Sequence, residues 1–271
     1  MARLAHAPLF RGRHFPDDLI ILAVRWYLRY SLSYRDLQEL LAERGVAVDH
    51  TTIWRWVDHY GPELDQRLRP YLRPTGTNWR MDETYVRVCG EWTYLYRAVD
   101  SPGATVDFYL SGARDVRAAK LFLRKAMADA QRVDPEELVV DGNPTYPIAV
   151  RALQREGVLP PACQWRCSHE DNNLIEQDHR FIQRRLDAKQ HFRSFAGAQH
   201  TVAGYEAMHM LRKGQVEGCA RGDVVGQAQF VHRVRAHAGR RRCVRVHGGP
   251  ARTGSSWRCR TMSAANSEAE A

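Results

Sequence analysis

Three acidic residues occupy positions from which they could act on one substrate. Asp82 lies within a predicted strand, Asp141 ends another, and Glu176 lies on a predicted helix. A carboxylate among apolar strand neighbours is costly unless its charge is compensated, and a divalent cation can compensate it. Three carboxylates can hold two Mg²⁺ ions, which prefer oxygen ligands, and such a pair promotes phosphodiester displacement. Taken singly, Asp82 and Asp141 are explained as a surface acid and a turn residue; their joint placement favours the metal site.

The helix that carries Glu176 has the sequence DNNLIEQDHRFIQRR, residues 171–185. Helical spacing places Glu176, His179, Arg180 and position 183 on one face, because residues three, four and seven apart are neighbours. A carboxylate beside cationic groups fits one wall of a catalytic site. It also fits a salt-bridged surface helix, and the spacing alone does not decide between them.

The elements that must position these acids form an α/β pattern. Three runs rich in Val, Tyr, Trp and Thr predict an antiparallel meander, and they read WRMDETYVRVCG, EWTYLYRAVD and ATVDFYLSG. A helix from Val116, a strand ending at Asp141, a helix from Pro144, a strand over 164–167, the Glu176 helix and a last helix follow, which predicts a mixed sheet. Side chains alternate between the two faces of a strand. One face of the first strand therefore carries Asp82 with Arg80, Thr84 and Val86, and the other face carries Met81, Glu83 and Tyr85.

The N-terminal region is predicted to be all helical. Ser33, with Asp36 three residues later, is typical of a capped helix start, and Asp49 is a second candidate cap. Two short helices joined by a turn containing Gly45 form a helix-turn-helix pattern. The first turn of its second helix would read DNA bases, through His50, Thr51, Thr52 and Arg55. A three-helix bundle without a DNA partner is the alternative.

Composition indicates a folded protein with a polyanionic partner. The 271 residues are 44% hydrophobic and 26% charged, with a net charge of +9. Residues 219–271 hold 10 Lys and Arg against 3 acidic residues, so the rest of the chain is nearly neutral. The sequence shows neither a signal peptide nor an apolar run long enough for a membrane helix. We therefore expect a cytoplasmic location, no membrane partner and reduced thiols.

Several long motifs in this order resemble the DDE transposases of bacterial insertion sequences, within them the IS-six family. The resemblance covers about residues 10–213, and its motifs include NWRMDETYVRVCGEWTYLYRAVDS, VVDGNPTYPIAV, NNLIEQDHRFIQRR and GYEAMHMLRKGQ. It implies a ribonuclease H-like fold and a catalytic triad of Asp82, Asp141 and Glu176. The last two residues are separated by 34 residues, which is the family's spacing.

The resemblance also implies function, partners and a bacterial cytoplasm as the location, with association to the nucleoid during activity. We expect Mg²⁺, or Mn²⁺, to support water-dependent cleavage that frees a 3′-OH at the element's end, and attack of that 3′-OH on target DNA. Double-stranded DNA carrying terminal repeats, target DNA and a homodimer or higher oligomer are the implied partners. Alternatives are an inactive helix-turn-helix DNA-binding protein and a ribonuclease H-like nuclease.

Neighbours of the triad have predicted supporting roles. Arg180 and Arg184 are candidates for DNA phosphates, His179 for orienting a carboxylate or water, and Asn173 for capping the helix. Related transposases have Lys or Arg seven residues after the catalytic Glu, where this chain has Gln183. Glutamine donates hydrogen bonds but cannot neutralise a phosphate.

The predicted organisation has four parts. Residues 1–68 form the helix-turn-helix domain, 69–78 a linker, 79–213 the catalytic domain and 214–271 a basic tail. From about residue 231 the tail has no periodicity and is rich in Arg, Gly, Cys and His. It is either a disordered arm that binds DNA non-specifically or the product of a shifted reading frame, and we favour the second because its cysteines and arginines are scattered.

Overall fold

The computed structural model describes residues 8–128, 133–168, 173–187 and 192–234. Three helices come first: α1 (Asp17–Arg29), α2 (Tyr34–Ala42) and α3 (His50–Leu68). The strands are β1 (Asn78–Val88), β2 (Glu91–Asp100), β3 (Thr105–Ser111), β4 (Glu137–Val140) and β5 (Gln164–Cys167). The later helices are α4 (Val116–Met127), α5 (Thr145–Arg155), α6 (Asn173–Asp187), α7 (Phe195–Lys213) and α8 (Val224–Val234).

The five strands form one mixed sheet in the order β3-β2-β1-β4-β5. The first three strands pair antiparallel as a meander, and β4 and β5 pair parallel to β1 and to each other. The predicted mixed sheet is confirmed. Since β4 lies beside β1, with Val140 opposite Met81, the residue that follows β4 emerges next to Asp82.

The two faces of β1 pack against different helices, as alternation predicts. Met81 belongs to a buried cluster with side chains of α4 and α5, among them Phe122 and Val150. Val86 belongs to the other cluster, which contains Ile182 of α6 and apolar side chains of α1, α3 and α7. The helix carrying Glu176 therefore lies on the face of the sheet that also carries Asp82.

The N-terminal helices begin at the predicted caps. The Ser33 hydroxyl accepts a hydrogen bond from the Asp36 amide at 3.1 Å, and the Asp36 carboxylate accepts one from the Ser33 amide at 2.7 Å. The Asp49 side chain accepts from the Thr51 amide at 2.8 Å. These contacts satisfy amides that helix starts otherwise leave unpaired, and they confirm the local part of the helix-turn-helix prediction.

Helix α3 runs past the predicted end of the motif and packs closely on α7. A Cβ atom added to Gly61 would lie 2.7 Å from the carbonyl oxygen of His200, and one added to Gly204 would lie 3.1 Å from the Cα atom of Gly61. Glycine at both positions lets the two backbones approach. The N-terminal helices and the sheet consequently share one apolar cluster, while the domain boundaries derived from the sequence stay a prediction.

Helix α8 lies within the part of the chain assigned from sequence to the basic tail. Phe230, Val231 and Val234 are buried, and the Phe230 ring meets Tyr71 edge-on at 5.4 Å. Residues 214–234 are ordered because α8 has an apolar side that the N-terminal helices cover. The remaining tail residues, 235–271, lie outside the described residues. Among the described helices, none has the length and apolar character needed to cross a membrane.

Candidate active site

Three carboxylates meet at the edge between β1 and β4. Single oxygen atoms from Asp82, Glu83 and Asp141 all lie within 4.8 Å of one another, and we call these residues the acidic cluster. The side chains of Asp82 and Asp141 are 18% and 24% exposed. The cluster is therefore shielded from water yet accessible, which suits a site that must admit a charged ligand.

The electrostatic state of Asp82 shows how closely these acids interact. Burial, followed by the negative charge of Asp141, raises the pKa of Asp82 to about 7. The charges of Glu83 and Glu176 make smaller contributions to the same increase. Each additional anion makes ionisation of Asp82 harder, so a bound cation would be strongly favoured here. Glu176 of α6 is thus close enough to act on Asp82, although it lies outside the 4.8 Å group.

Glu83 is a member of the cluster that the sequence analysis did not predict. Its carboxylate accepts hydrogen bonds from Arg114 at 3.1 Å and from the Asn143 side chain at 3.0 Å. Alternation directs Glu83 away from Asp82, but β4 ends opposite Met81. The sheet edge beside both acids is therefore open, and Asp141 can approach them both.

Helix α6 places two side chains over the Asp82 face of β1. The Nδ1 atom of His179 lies 3.7 Å from the Asp82 carboxylate, too far for a hydrogen bond. Burial lowers the pKa of His179 to about 3, so the ring is neutral and forms no ion pair. The Gln183 amide donates to the Thr84 hydroxyl at 2.6 Å and fixes the next turn of α6 against the strand.

Two cationic residues of α6, Arg180 and Arg184, are available to a ligand. Glu176, Arg180 and Arg184 are all exposed. Within the described part of the chain, no ion pair joins Glu176 to Arg180, so the salt-bridged surface helix is not what the structure contains. The side chain of Asn173, the first residue of α6, lies outside the described residues, and its capping role stays a prediction.

A network of buried ions secures the opposite side of α6. The Arg97 guanidinium donates to Glu206 at 2.6 and 3.0 Å and to Asp178 at 2.7 Å. Asp178 also accepts from His209 at 2.6 Å and pairs with Lys213 at 2.7 Å. These five residues, the ion network, connect β2, α6 and α7. Sequence reasoning missed them, although charges inside otherwise apolar runs such as LYRAV and YEAMHM were a signal.

The predicted base-reading residues lie together on the first turn of α3. His50 contacts the Gln38 side chain through its backbone amide at 2.9 Å, and the Thr51 hydroxyl donates to Asp49 at 2.5 Å. Thr52 is half-buried and Arg55 is exposed. Thr51 is exposed as well, and the contact of the four residues with DNA stays a prediction.

Comparison with known proteins identifies the family. Residues 76–215 match the family model for the DDE domain of IS240-type transposases. The transposase of the insertion sequence-like element IS431mec from Staphylococcus aureus is 39% identical over 204 residues, which are 75% of this chain and 88% of that protein. The transposase of insertion sequence element IS257 in transposon Tn4003, also from Staphylococcus aureus, shows the same identity and coverage. The catalytic core domain of BIV integrase aligns with 51% of this chain and 85% of its own, at 18% identity and a TM-score of 0.37. This chain belongs to the DDE transposases of bacterial insertion sequences, the IS-six family, which are polynucleotidyl transferases that use divalent metal ions.

Proposed function

We propose that this transposase cuts DNA at the ends of its element with Asp82, Asp141 and Glu176 holding two Mg²⁺ ions, for which Mn²⁺ can substitute. The acidic cluster is the observation that supports this assignment. Burial and neighbouring anions raise the pKa of Asp82 to about 7, and cations at the cluster would relieve that repulsion. Hard carboxylate oxygens fit the ligand preference of Mg²⁺.

The proposed reaction has two phosphoryl transfers. Water attacks the phosphodiester at the element's end, the bond between phosphorus and the 3′ oxygen breaks, and a 3′-OH is released. That 3′-OH attacks a target phosphodiester and displaces a target 3′ oxygen, so the number of phosphodiester bonds is conserved in the second step. When bound, divalent ions supply activation of the attacking oxygen and stabilisation of the leaving oxygen.

The protein's residues divide the remaining work. Asp82 must lose its proton before it can serve as a ligand, and the neutral His179 ring beside it adds no competing positive charge. Glu83 is occupied by Arg114 and Asn143, so we assign it to holding the turn that presents Asp141. Arg180 and Arg184 would contact DNA phosphates near the cut.

The partners follow from the same reaction. The element's terminal repeats would be read by the first turn of α3, through His50, Thr51, Thr52 and Arg55. Target DNA is the second substrate. Two element ends must be brought together, so a homodimer or higher oligomer is the proposed active form.

Strand cleavage tests this proposal directly. DNA carrying the element's ends is incubated with Mg²⁺ and wild type, Asp82→Asn, Asp141→Asn or Glu176→Gln. We expect cleavage by wild type and none by the three variants. In each variant the new side chain has nearly the same shape as the carboxylate it replaces but carries no charge. Glu83→Gln is the matched control, and it should retain activity reduced about 10- to 100-fold, as for residues that support ligands. Undiminished cleavage by the three triad variants would overturn the assignment.

A further inference from the structure

A cavity of about 840 Å³ separates the start of α3 from the end of α6 and the start of α7. This size is in the range of ligand-binding pockets. Trp54 and Arg55 line it from α3, Tyr30 from the end of α1, Arg185 from α6, and Arg193 from the residue pair that precedes α7. The catalytic proposal uses none of Trp54, Tyr30, Arg185 and Arg193.

The charge of the cavity is complementary to a polyanion. Arg55, Arg185 and Arg193 contribute three guanidinium groups to the lining, and Asp36 is its single carboxylate. That carboxylate is already engaged, because it caps α2 through the Ser33 amide at 2.7 Å. The positive charge of the lining therefore exceeds what its own acid can balance.

Arg185 is the most telling of these cations. Its side chain is only 5% exposed, and its Nη1 atom donates to the Tyr30 carbonyl at 2.9 Å. Its Nε atom is buried without a hydrogen-bond partner among the described residues. Burial, together with the nearby charges of Arg212 and Arg29, lowers the pKa of Arg185 to about 10. A buried guanidinium without a carboxylate is costly, and a phosphate group would satisfy both its charge and its free N–H.

Aromatic rings make the cavity different from a phosphate-binding surface. Trp54 is 46% exposed and Tyr30 is 42% exposed, although both lie within the concave lining. The Tyr205 ring lies deeper, with the Arg185 guanidinium 5.5 Å from its centroid. Duplex DNA presents phosphates and base edges, because the faces of its bases are covered in the stack. Exposed rings inside a basic concavity gain contact area only when a base is unpaired.

From this combination we propose that the cavity binds unpaired nucleotides of a DNA strand, with bases stacked on Trp54 and Tyr30 and a phosphate at Arg185. The inference deepens the proposed function and rests on it for the origin of the strand. Arg185 follows Glu176 by nine residues on α6, which is about 14 Å at 1.5 Å per residue. That distance corresponds to about four nucleotide steps at the 3.4 Å spacing of duplex DNA, and to fewer in an extended single strand, so the strand would be opened a few nucleotides from the cut.

Binding of single-stranded DNA tests the inference without any knowledge of the element's ends. A labelled oligonucleotide of mixed sequence, about 12 nucleotides long to match the site size of aromatic grooves, is titrated with the full chain in EDTA. Fluorescence anisotropy gives the dissociation constant. A duplex of the same sequence is titrated in parallel, and thermal denaturation verifies that each variant is folded.

We expect Trp54→Ala to weaken single-strand binding about tenfold, in line with the loss of one stacked base, while duplex binding changes less than about twofold. Trp54→Phe, which keeps an aromatic face, should restore most of the affinity. Trp92→Ala is the matched control, since Trp92 is 58% exposed but lies on the β1–β2 hairpin outside the cavity lining. Arg193→Ala should also weaken single-strand binding and serves if Trp54→Ala is unstable.

Three results would overturn the inference: wild type that does not bind the single strand, Trp54→Ala with unchanged single-strand affinity, or equal losses for single strand and duplex. Each outcome is independent of metal-dependent cleavage. Loss of cleavage in the triad variants with normal single-strand binding would support both proposals, and failure of either one leaves the other measurable.

Discussion

The buried charges on the two sides of helix α6 have different neighbours: opposite charges on one side and like charges on the other. On one side, the ion network brings each charged group to an opposite charge, as Arg97 meets Glu206 and Asp178. On the other side, the acidic cluster brings carboxylates to each other, with Arg114 at 3.1 Å from Glu83 and 3.5 Å from Asp141. One side is balanced by its own residues, whereas on the other side Arg114 serves Glu83 and Asp141 and the charge of Asp82 is opposed by its acidic neighbours.

The pKa values of Asp178 and Asp82, one on each side, are shifted in opposite directions. Burial alone would raise both, but Arg97 and the hydrogen bond from His209 hold the pKa of Asp178 far below its usual range. The pKa of Asp82, which has acidic neighbours, rises to about 7. The comparison teaches that buried charge marks a ligand site only where the protein leaves it uncompensated.

Breaking the ion network should produce the largest loss of stability. Arg97→Ala leaves Asp178 and Glu206 buried without their main partner, and removal of one member of a buried pair costs about 3–5 kcal/mol. Urea denaturation measures the free energy of unfolding. Arg87→Ala, an exposed arginine on the neighbouring strand, is the control and should cost less than about 0.5 kcal/mol. A cost below about 1 kcal/mol for Arg97→Ala would mean that the network does not secure α6.

The acidic cluster should make the metal-free protein less stable as the pH rises. Folded Asp82 keeps its proton up to about pH 7, whereas the unfolded residue releases it near its ordinary value of 3.8. Between these values the folded state binds more protons, so the free energy of unfolding falls with rising pH, by about 4 kcal/mol in total. Chemical denaturation in EDTA from pH 4 to pH 8 measures this slope.

Two comparisons sharpen the pH prediction. Asp82→Asn removes the titrating group and should flatten the curve, and saturating Mg²⁺ should raise stability most at pH 7 and above. A wild-type curve that rises from pH 4 to pH 7 by the same amount would show that other groups dominate the titration and that the cluster is not under strain from its own charge.

Loss of the hydrogen bond between Gln183 and Thr84 should reduce stability by a smaller amount. The Gln183 side-chain amide donates a hydrogen bond to the Thr84 hydroxyl at 2.6 Å. A hydrogen bond of this kind contributes about 1 kcal/mol net. Gln183→Ala should reduce the free energy of unfolding by that amount in urea denaturation. The adjacent exposed residue gives the control variant Arg184→Ala, for which we expect no change. Equal stability of the two variants would show that the Gln183 side chain does not help to hold α6 against β1.

The exposed arginines of α6 should affect DNA binding and leave stability unchanged. Each arginine that contacts a phosphate contributes about 1 to the slope of affinity against salt. The double variant Arg180→Ala, Arg184→Ala should reduce that slope by about 2, measured by anisotropy of duplex binding at several salt concentrations. Arg155→Ala, exposed at the end of α5 on the other face of the sheet, should not change it. An unchanged slope in the double variant would show that Arg180 and Arg184 do not contact DNA phosphates.

Local sequence patterns predicted most of the fold and two members of the acidic cluster. The helix caps at Ser33 and Asp49, the strand alternation and the strand end before Asp141 depend on neighbouring residues, so they are visible in sequence. Glu83 was missed because alternation assumes a continuous ladder, whereas β4 ends opposite Met81 and opens the edge.

Long-range partners were the part that sequence could not supply. Arg97 and Glu206 are 109 residues apart along the chain, and no local pattern indicates that they pair. Helix α8 was not predicted for a related reason. The basic composition of the chain's end concealed the apolar side of α8, whose burial depends on contact with distant helices such as α1 and α3.

Binding of Mn²⁺ at the acidic cluster is the most direct test of the central claim that this side of α6 is built for a cation. Electron paramagnetic resonance measures free Mn²⁺ in titrations of the full chain bound to duplex DNA, for wild type and for Asp82→Asn. We predict saturable binding by wild type and loss of that binding in the variant, with the variant at least as stable as wild type in EDTA because a repelling charge is gone. Equal Mn²⁺ binding by a folded Asp82→Asn protein would contradict the account.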